Sequence, residues 1–261
     1  MKKVLHYIVL FFYRIYAVVI GLPLLILSTI MVCLVVGFGC LLGDKHWWSY
    51  YPATVWGRFL CWVFFVRIKV SGRENSENLK SCVFVANHQS AFDIFIAFGY
   101  FHHNFLWMMK KKLKKIPLVG WACKQMGQVF VDNSTPAATK ATLEAAEMRL
   151  KEGRSMVIFP EGTRTPTGKM GRFKRGAYIL AKEFNLPVVP VTIDGAFDVM
   201  SKDAIFPNYG TVKLTFHNVI NPSEEGHDIN NLVAITQEAV GSALPEEQRF
   251  VKPAALRKEQ F

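Results

Sequence analysis

Residues 87–93 read Asn-His-Gln-Ser-Ala-Phe-Asp, and residues 159–164 read Phe-Pro-Glu-Gly-Thr-Arg. The first segment sets an imidazole, His88, five positions ahead of a carboxylate, Asp93. An imidazole titrates close to neutrality, so it can accept a proton from a hydroxyl, and a neighbouring carboxylate fixes its tautomer and stabilises the imidazolium. The second segment places Arg164 in a Gly-containing loop directly after an apolar strand. Guanidinium groups suit bidentate binding of phosphate oxygens. Together the two segments point to proton abstraction from a hydroxyl beside a site for an anionic substrate. Spacing alone leaves a second reading open at Asp93, because Ser90-x-x-Asp93 also reads as a capping box serving only a helix N-terminus. Asn87 is expected to hold the turn through an Asx-type bond.

Other candidates carry less. Ser90 lies near His88, but no Gly-x-Ser-x-Gly elbow occurs anywhere in the chain, which argues against a serine nucleophile. His102-His103 has no further ligand pattern around it and reads as solvated or interfacial histidine at a helix end. The run from Gly162 to Lys169 superficially resembles a Walker loop. Its gap is one residue too long, and Met170 follows the lysine where a magnesium-binding hydroxyl belongs, so that reading fails. What remains is a flexible loop with Arg164, followed closely by Lys169, Arg172, Lys174 and Arg175. A second basic cluster, Lys110–Lys115, holds five lysines and one leucine next to Ile116-Pro117-Leu118. Charge beside apolar side chains suits binding at an anionic lipid interface, and a merely solvated face is the competing reading.

The elements that position these residues alternate. Strand-like runs cover Val63–Val70, Cys82–Ala86, Gln128–Val131, Ser155–Phe159, Val188–Ile193 and Thr211–Ile220, several of them nearly all apolar, as for strands covered on both faces. Helix-like stretches cover Ala91–Tyr100, Pro136–Lys151, Phe173–Phe184 and Asp228–Leu244, with Ser90 as a cap for the first and Gly153 just past the end of the second. The expected fold class is α/β, with a mostly parallel or mixed central sheet flanked by helices. Such sheets carry their sites at the carboxyl ends of strands, so His88 and Glu161–Arg164 are expected to share a rim.

Ahead of this domain lies an N-terminal membrane-anchoring helical segment. From Ile15 to Gly43 there are 29 residues without a charge. As a helix they would span about 43 Å at ~1.5 Å per residue, against roughly 30 Å of hydrocarbon. A single tilted span fits, and so does a hairpin breaking near Pro23 or at Gly37–Gly39. The run is too long for a signal peptide. Thr54–Val66, rich in aromatics, reads either as an interfacial helix or as a buried one. The expected division is an anchor over 1–62, an α/β domain over 63–245 and a tail over 246–261. The 31 Lys and Arg against 20 Asp and Glu give a net charge of +11, which favours anionic partners. With a membrane segment present, lipid takes precedence over nucleic acid, which is not expected as a partner. Basic residues flank the apolar run on both sides, as suits an anchor in the cytoplasmic membrane with the α/β domain on the cytoplasmic side. Five cysteines without Cys-x-x-Cys or zinc-like spacing read as inert buried thiols in a reduced compartment.

Taken in order, these segments resemble the motifs of the 1-acyl-sn-glycerol-3-phosphate acyltransferases, a branch of the glycerolipid acyltransferases. Asn87–Asp93 is similar to the family's Asn-His-x4-Asp motif and Phe159–Arg164 to its Phe-Pro-Glu-Gly-Thr-Arg motif. Gly127–Asp132 resembles the motif between them, and Val189-Pro190-Val191 the last. The resemblance covers about residues 60–220 and implies transfer of a fatty acyl group from a coenzyme A or acyl carrier protein thioester to the sn-2 hydroxyl of a lysophosphatidate, giving phosphatidate. It assigns His88 as the base and Asp93 as its orienting partner, and it gives Glu161, Gly162, Thr163 and Arg164 to the glycerol phosphate, with Lys111 or Lys115 as a further phosphate contact. It implies no metal and no tightly bound cofactor; the partners are membrane lipids, the lysophospholipid acceptor and the thioester donor. The middle motif usually ends in Arg, where this chain has Asn133, which keeps open an acceptor with a different headgroup. Two further alternatives are a thioester hydrolase and a non-catalytic membrane-surface protein.

Overall fold

The computed structural model describes residues 2–132, 134–224, 226 and 228–251. The chain begins with helix α1 (Lys2–Tyr16), which runs through a π-helical turn at Ala17–Gly21 into α2 (Leu22–Leu42). Pro23 falls in the first turn of α2, where its missing N–H is tolerated, so the helix continues across it. Gly37 and Gly39 do not break it either. The Trp121 and Trp48 rings pack against their bare α-carbons, leaving no room for a side chain. The expected hairpin therefore turns later, at Gly43-Asp44, where Asp44 caps α3 (Lys45–Val63) by accepting the His46 N–H at 2.9 Å.

The long helix Tyr7–Leu42 is, among the described residues, the one helix long and apolar enough to cross a membrane, and most of its surface is uncovered by protein. Apolar surface of that extent makes the chain membrane-associated. Helix α3 serves both expected readings at once. Ala53, Leu60 and Cys61 are buried against the domain, while Trp47, Tyr51, Val55 and Trp62 stand exposed along the outer side. Arg58 Nε also ties α3 to the Gly99 carbonyl at 2.7 Å.

Seven strands follow: β1 (Val66–Ser71), β2 (Val83–Ala86), β3 (Phe105–Lys110), β4 (Val129–Val131), β5 (Ser155–Ile158), β6 (Val188–Asp194) and β7 (Gly210–Phe216). Between them lie α4 (Phe92–Tyr100), α5 (Val119–Gln125), α6 (Pro136–Lys151), α7 (Gly176–Glu183) and α8 (Ala196–Val199), and α9 (Ile229–Ser242) closes the domain. The sheet order is β1-β7-β6-β2-β5-β3-β4, parallel except where β6 meets β7. The mixed sheet is as expected from sequence, and β3 is an addition to it. Phe-Leu-Trp-Met-Met-Lys contains no β-branched residue, and it is a strand because β5 and β4 pair it on both sides. Two further bounds shift. The first strand starts at Val66 because α3 persists to Val63, and α7 starts at Gly176 because residues 171–175 are held extended beside the site.

Helices α3 and α4 cover one face of the sheet, burying Leu60, Phe92 and Ile96 on Phe84, Val191 and Leu214. Helices α6, α7 and α9 cover the other, burying Ala146, Tyr178 and Leu232 on Val83, Val85 and Met156. Since β2, β3, β4, β5 and β6 run the same way, their carboxyl ends form one rim. His88, Lys111–Lys115, Asp132 and Phe159–Arg164 all leave from it.

Candidate active site

His88 leaves β2 in a turn that Asp93 organises. Asp93 Oδ2 accepts the His88 Nδ1–H, the Gln89 N–H and the Ser90 N–H, each at 2.8 Å, and its side chain is fully buried. Ser90 Oγ in turn accepts the Phe92 N–H at 3.1 Å. The capping box and the histidine partner were alternatives on spacing; one carboxylate oxygen fills both roles. With Nδ1–H given to Asp93, the neutral ring carries its lone pair on Nε2, which has no hydrogen-bond partner among the described residues. The imidazole side chain is 15% exposed, so Nε2 is reachable from outside. Phe159 stacks flat on the ring, with centroids 4.1 Å apart and planes 5° off parallel.

Asn87 does not form the expected Asx bond. Its side-chain amide pairs with the backbone of Ile193 instead, Nδ2 donating to the carbonyl at 2.9 Å and Oδ1 accepting the N–H at 2.8 Å. The histidine turn is thereby locked to β6 by a contact 106 residues away in sequence. Ser90 Oγ donates to the Met200 carbonyl at 2.8 Å and is buried, so its hydroxyl is engaged away from any nucleophilic role. Gln89 Nε2 donates to the Gly168 carbonyl at 2.8 Å and to Gln248 Oε1 at 3.0 Å. The segment expected as the start of a tail thus closes over the site; residues 252–261 lie outside the described residues.

The sequence reading gave Glu161 to the substrate, and the structure places it between two loops. Oε1 accepts the His88 N–H at 2.8 Å and Oε2 the Gly171 N–H at 2.7 Å. Burial pushes its carboxyl above the usual carboxylate range, and the two N–H bonds oppose that only in part. Gly162 follows at φ +75°, a left-handed conformation that suits glycine. A methyl there would come within 2.7 Å of the Lys174 ammonium, so Lys174 lies over the loop. Thr163 is exposed beside it. Arg164 is half-buried and makes no hydrogen bond or ion pair among the described residues, which leaves its guanidinium available for an anion.

The lysine turn occupies the adjacent position on the rim. Lys111 Nζ meets Asp132 Oδ2 at 2.5 Å, and this bond, with others from Ser134, holds the Asp132 carboxyl down at about 2. Lys115 is exposed. Asn133, the residue that departs from the family pattern, lies outside the described residues.

A cavity of about 310 Å³ opens beside this rim, between the membrane helix and the sheet. Val36 of α2, Ala53 of α3, Ile94 and Phe95 of α4, Trp107 of β3 and Ala122 of α5 are among its lining, and no charged side chain contributes. Ile94 directly follows Asp93, and the Trp107 ring lies 5.3 Å from Phe159. The stack His88–Phe159–Trp107 therefore connects the imidazole to the cavity wall. Nothing in the sequence pattern marked this role for Phe159, although its place at the head of the second motif was visible.

His102 and His103 are buried, not solvated as expected. Both contact Ser76, through its Oγ at 3.2 Å and its carbonyl at 2.9 Å. Burial, with the neighbouring His103 second, pushes His102 down to about 4. Among the described residues no group of His, Cys, Asp and Glu is arranged to hold a metal. The five cysteines are free, and burial pushes Cys61 and Cys82 up to about 12, which fits inert thiols.

The family model described as Acyltransferase matches residues 67–194, a span that holds the histidine turn, Glu161 and β6. A 1-acyl-sn-glycerol-3-phosphate acyltransferase of Pseudomonas aeruginosa is 32% identical over 209 residues, covering 76% of this chain and 80% of that protein. A chloroplastic 1-acyl-sn-glycerol-3-phosphate acyltransferase of Brassica napus is also 32% identical, over 178 residues covering 67% of this chain. The match spans about half the length of that plant relative (51%). Among solved structures, the 1-acyl-sn-glycerophosphate acyltransferase PlsC from Thermotoga maritima superposes with a TM-score of 0.76 at 27% identity, covering 97% of this chain and all of that one. On this sequence and structural similarity, the chain belongs to the acyltransferase family.

Proposed function

We propose that the chain transfers a fatty acyl group from a thioester to the sn-2 hydroxyl of 1-acyl-glycerol-3-phosphate, giving phosphatidate in phospholipid biosynthesis. One observation carries the reading: His88 Nε2 is free and accessible at a rim that also presents Arg164, and it lies one aromatic ring away from an apolar cavity. Nε2 takes the proton of the acceptor hydroxyl as that oxygen attacks the thioester carbonyl. The new C–O bond forms and the carbonyl electron pair moves to oxygen. Collapse of this intermediate breaks the C–S bond, and the departing thiolate takes the proton back from the imidazolium. Asp93 keeps the ring in the required tautomer and stabilises it while it is charged.

Arg164, with Lys174 above the loop and Lys111 and Lys115 alongside, supplies positive charge for the acceptor phosphate. Glu161 is a positioning residue that holds the His88 backbone. The cavity, within the ~300–1,000 Å³ range of small-molecule clefts, suits a hydrocarbon chain. The chemistry needs neither a metal nor a resident cofactor, and the donor is a coenzyme A or acyl carrier protein thioester. The basic flanks of the anchor support placement of the domain on the cytoplasmic side of the membrane.

A second reading keeps the reaction and changes the acceptor. Asn133 stands where the family's motif carries Arg, and Lys111 is already paired with Asp132, so less positive charge is free for a phosphate. Membranes holding the full chain, given a labelled acyl thioester and competing lysolipids, test both. Preferred conversion of lysophosphatidate, lost in His88→Ala, is the expected result. Higher kcat/KM on a zwitterionic lysolipid selects the second reading, and failure of the wild type on every lysolipid removes both.

A further inference from the structure

Between α8 and β7 the chain makes a closed excursion over residues 200–209. The Asn208 N–H donates to the Val199 carbonyl at 2.7 Å and Asn208 Nδ2 to the Asp198 carbonyl at 3.2 Å, so the two ends are pinned together. At the tip stand Ile205, 80% exposed, and Phe206, 43% exposed. Two adjacent large apolar side chains at a loop tip are unfavourable in water and favourable against an apolar phase.

The surroundings identify that phase. Tyr209, at the return of the loop, packs edge-on against Tyr13 of α1 at 5.1 Å. Tyr13 and Tyr16 both contact Phe65, which is itself well exposed, as is nearby Trp62. The tip therefore runs without a break into the long helix whose length and composition suit hydrocarbon. Lys202 stands exposed on the flank of the loop, where it can meet anionic headgroups. The same loop begins at Met200, whose carbonyl accepts the Ser90 hydroxyl inside the histidine turn.

We propose that loop 200–209 is a second membrane contact, separate from the N-terminal helix, in which Ile205 and Phe206 insert at the boundary between headgroups and acyl chains. It holds the rim bearing His88 against the lipid surface, so that a lipid acceptor reaches the imidazole without leaving the bilayer. Two inserted side chains supplement an anchor and do not replace it.

The full-length protein in vesicles of phosphatidylcholine and phosphatidylglycerol tests this directly. A nitrobenzoxadiazole label on Ile205→Cys is compared with one on Lys140→Cys, which lies on α6 across the sheet and is 80% exposed. The unsubstituted protein serves as the labelling blank, since burial pushes Cys61, Cys82 and Cys123 up to about 12. The expected result is blue-shifted emission at position 205, quenched by lipid-borne nitroxides, with water-like emission at 140. Water-like emission at both positions, equally quenched by aqueous iodide, overturns the proposal. That arm is independent of the acyl-transfer reading; a second arm rests on it. Ile205→Asp with Phe206→Asp should act about tenfold or more slowly on acceptors in vesicles, and within about twofold of wild type on a short-chain, water-soluble acceptor. Equal loss on both acceptors overturns the membrane role.

Discussion

Glu161 and His88, 73 residues apart in sequence, are joined by a 2.8 Å bond in which the glutamate Oε1 accepts the histidine backbone N–H. The other oxygen takes the Gly171 N–H, so one buried carboxylate fixes the distance between the two motif loops. Glu161→Gln keeps one acceptor and turns the other atom into a donor facing an N–H. The expected outcome is a fall in kcat of about tenfold or more with little change in KM for the acceptor, because positioning is lost and not phosphate binding. A rise in KM at unchanged kcat would return Glu161 to the substrate.

The same residue predicts a pH dependence of stability. Burial raises its carboxyl above the ordinary value, so in the window from that value up to the folded one the native state binds more protons than the unfolded chain. The slope of unfolding free energy with pH is then negative, and this group's contribution is present at low pH and lost as pH rises through the folded pKa. Melting curves should show wild type losing stability relative to Glu161→Gln as pH climbs out of the carboxylate range. An identical pH slope in the two proteins contradicts this.

His88→Ala should reduce acyl transfer by about 10²–10⁴-fold while leaving the melting temperature close to wild type, since Nε2 supports no other contact. Asp93→Ala should lose comparable activity and also stability, on the order of 3 kcal/mol, because its oxygen accepts three hydrogen bonds at once. Paired calorimetry and turnover on the two variants separate the roles. If the base is an unprotonated imidazole, kcat/KM falls with unit slope on the acid side in wild type, and a flat acid side argues against His88 as the base.

How much of this was legible in advance follows from how far apart the partners lie. The alternation of apolar strands and capped helices announced an α/β domain, and Pro136–Lys151 was readable to the residue because Thr135 and the proline mark its start. The pairing of His88 with Asp93 was readable because five residues separate them. Strand β3 was not, since Leu and Met favour helix and only pairing with β4 and β5 imposes the strand. Nor was the grip of Asn87 on Ile193, or of Gln248 on Gln89, because a side-chain partner 106 or 159 residues away leaves no local pattern. Glu161 was found by its motif, but its role could only be read once both loops were in place.

The cavity predicts a dependence on acyl length. Ala122 lines it from α5, and Ala122→Leu adds three carbon atoms to the wall. Long-chain thioesters should lose about tenfold or more in kcat/KM while short-chain ones stay within about twofold, at a packing cost of ~1–3 kcal/mol. Uniform loss across chain lengths, measured on one thioester series, argues that the cavity does not hold the chain.

Arg164 and the Lys111–Asp132 pair make opposite predictions for the acceptor phosphate. Arg164 has no carboxylate partner among the described residues, so Arg164→Ala should raise KM for lysophosphatidate about tenfold or more and barely affect a lysolipid without a free phosphate. Asp132 competes for Lys111, and the depression of its carboxyl to about 2 shows that it stays ionised throughout the neutral range. Asp132→Asn removes that competitor and should lower KM for lysophosphatidate, with the gain fading as salt is raised, because both groups are substantially exposed. Should KM rise instead, Asp132 orients the lysine for phosphate and the pair acts as one binding unit. Steady-state assays on the two variants at two salt concentrations distinguish these outcomes.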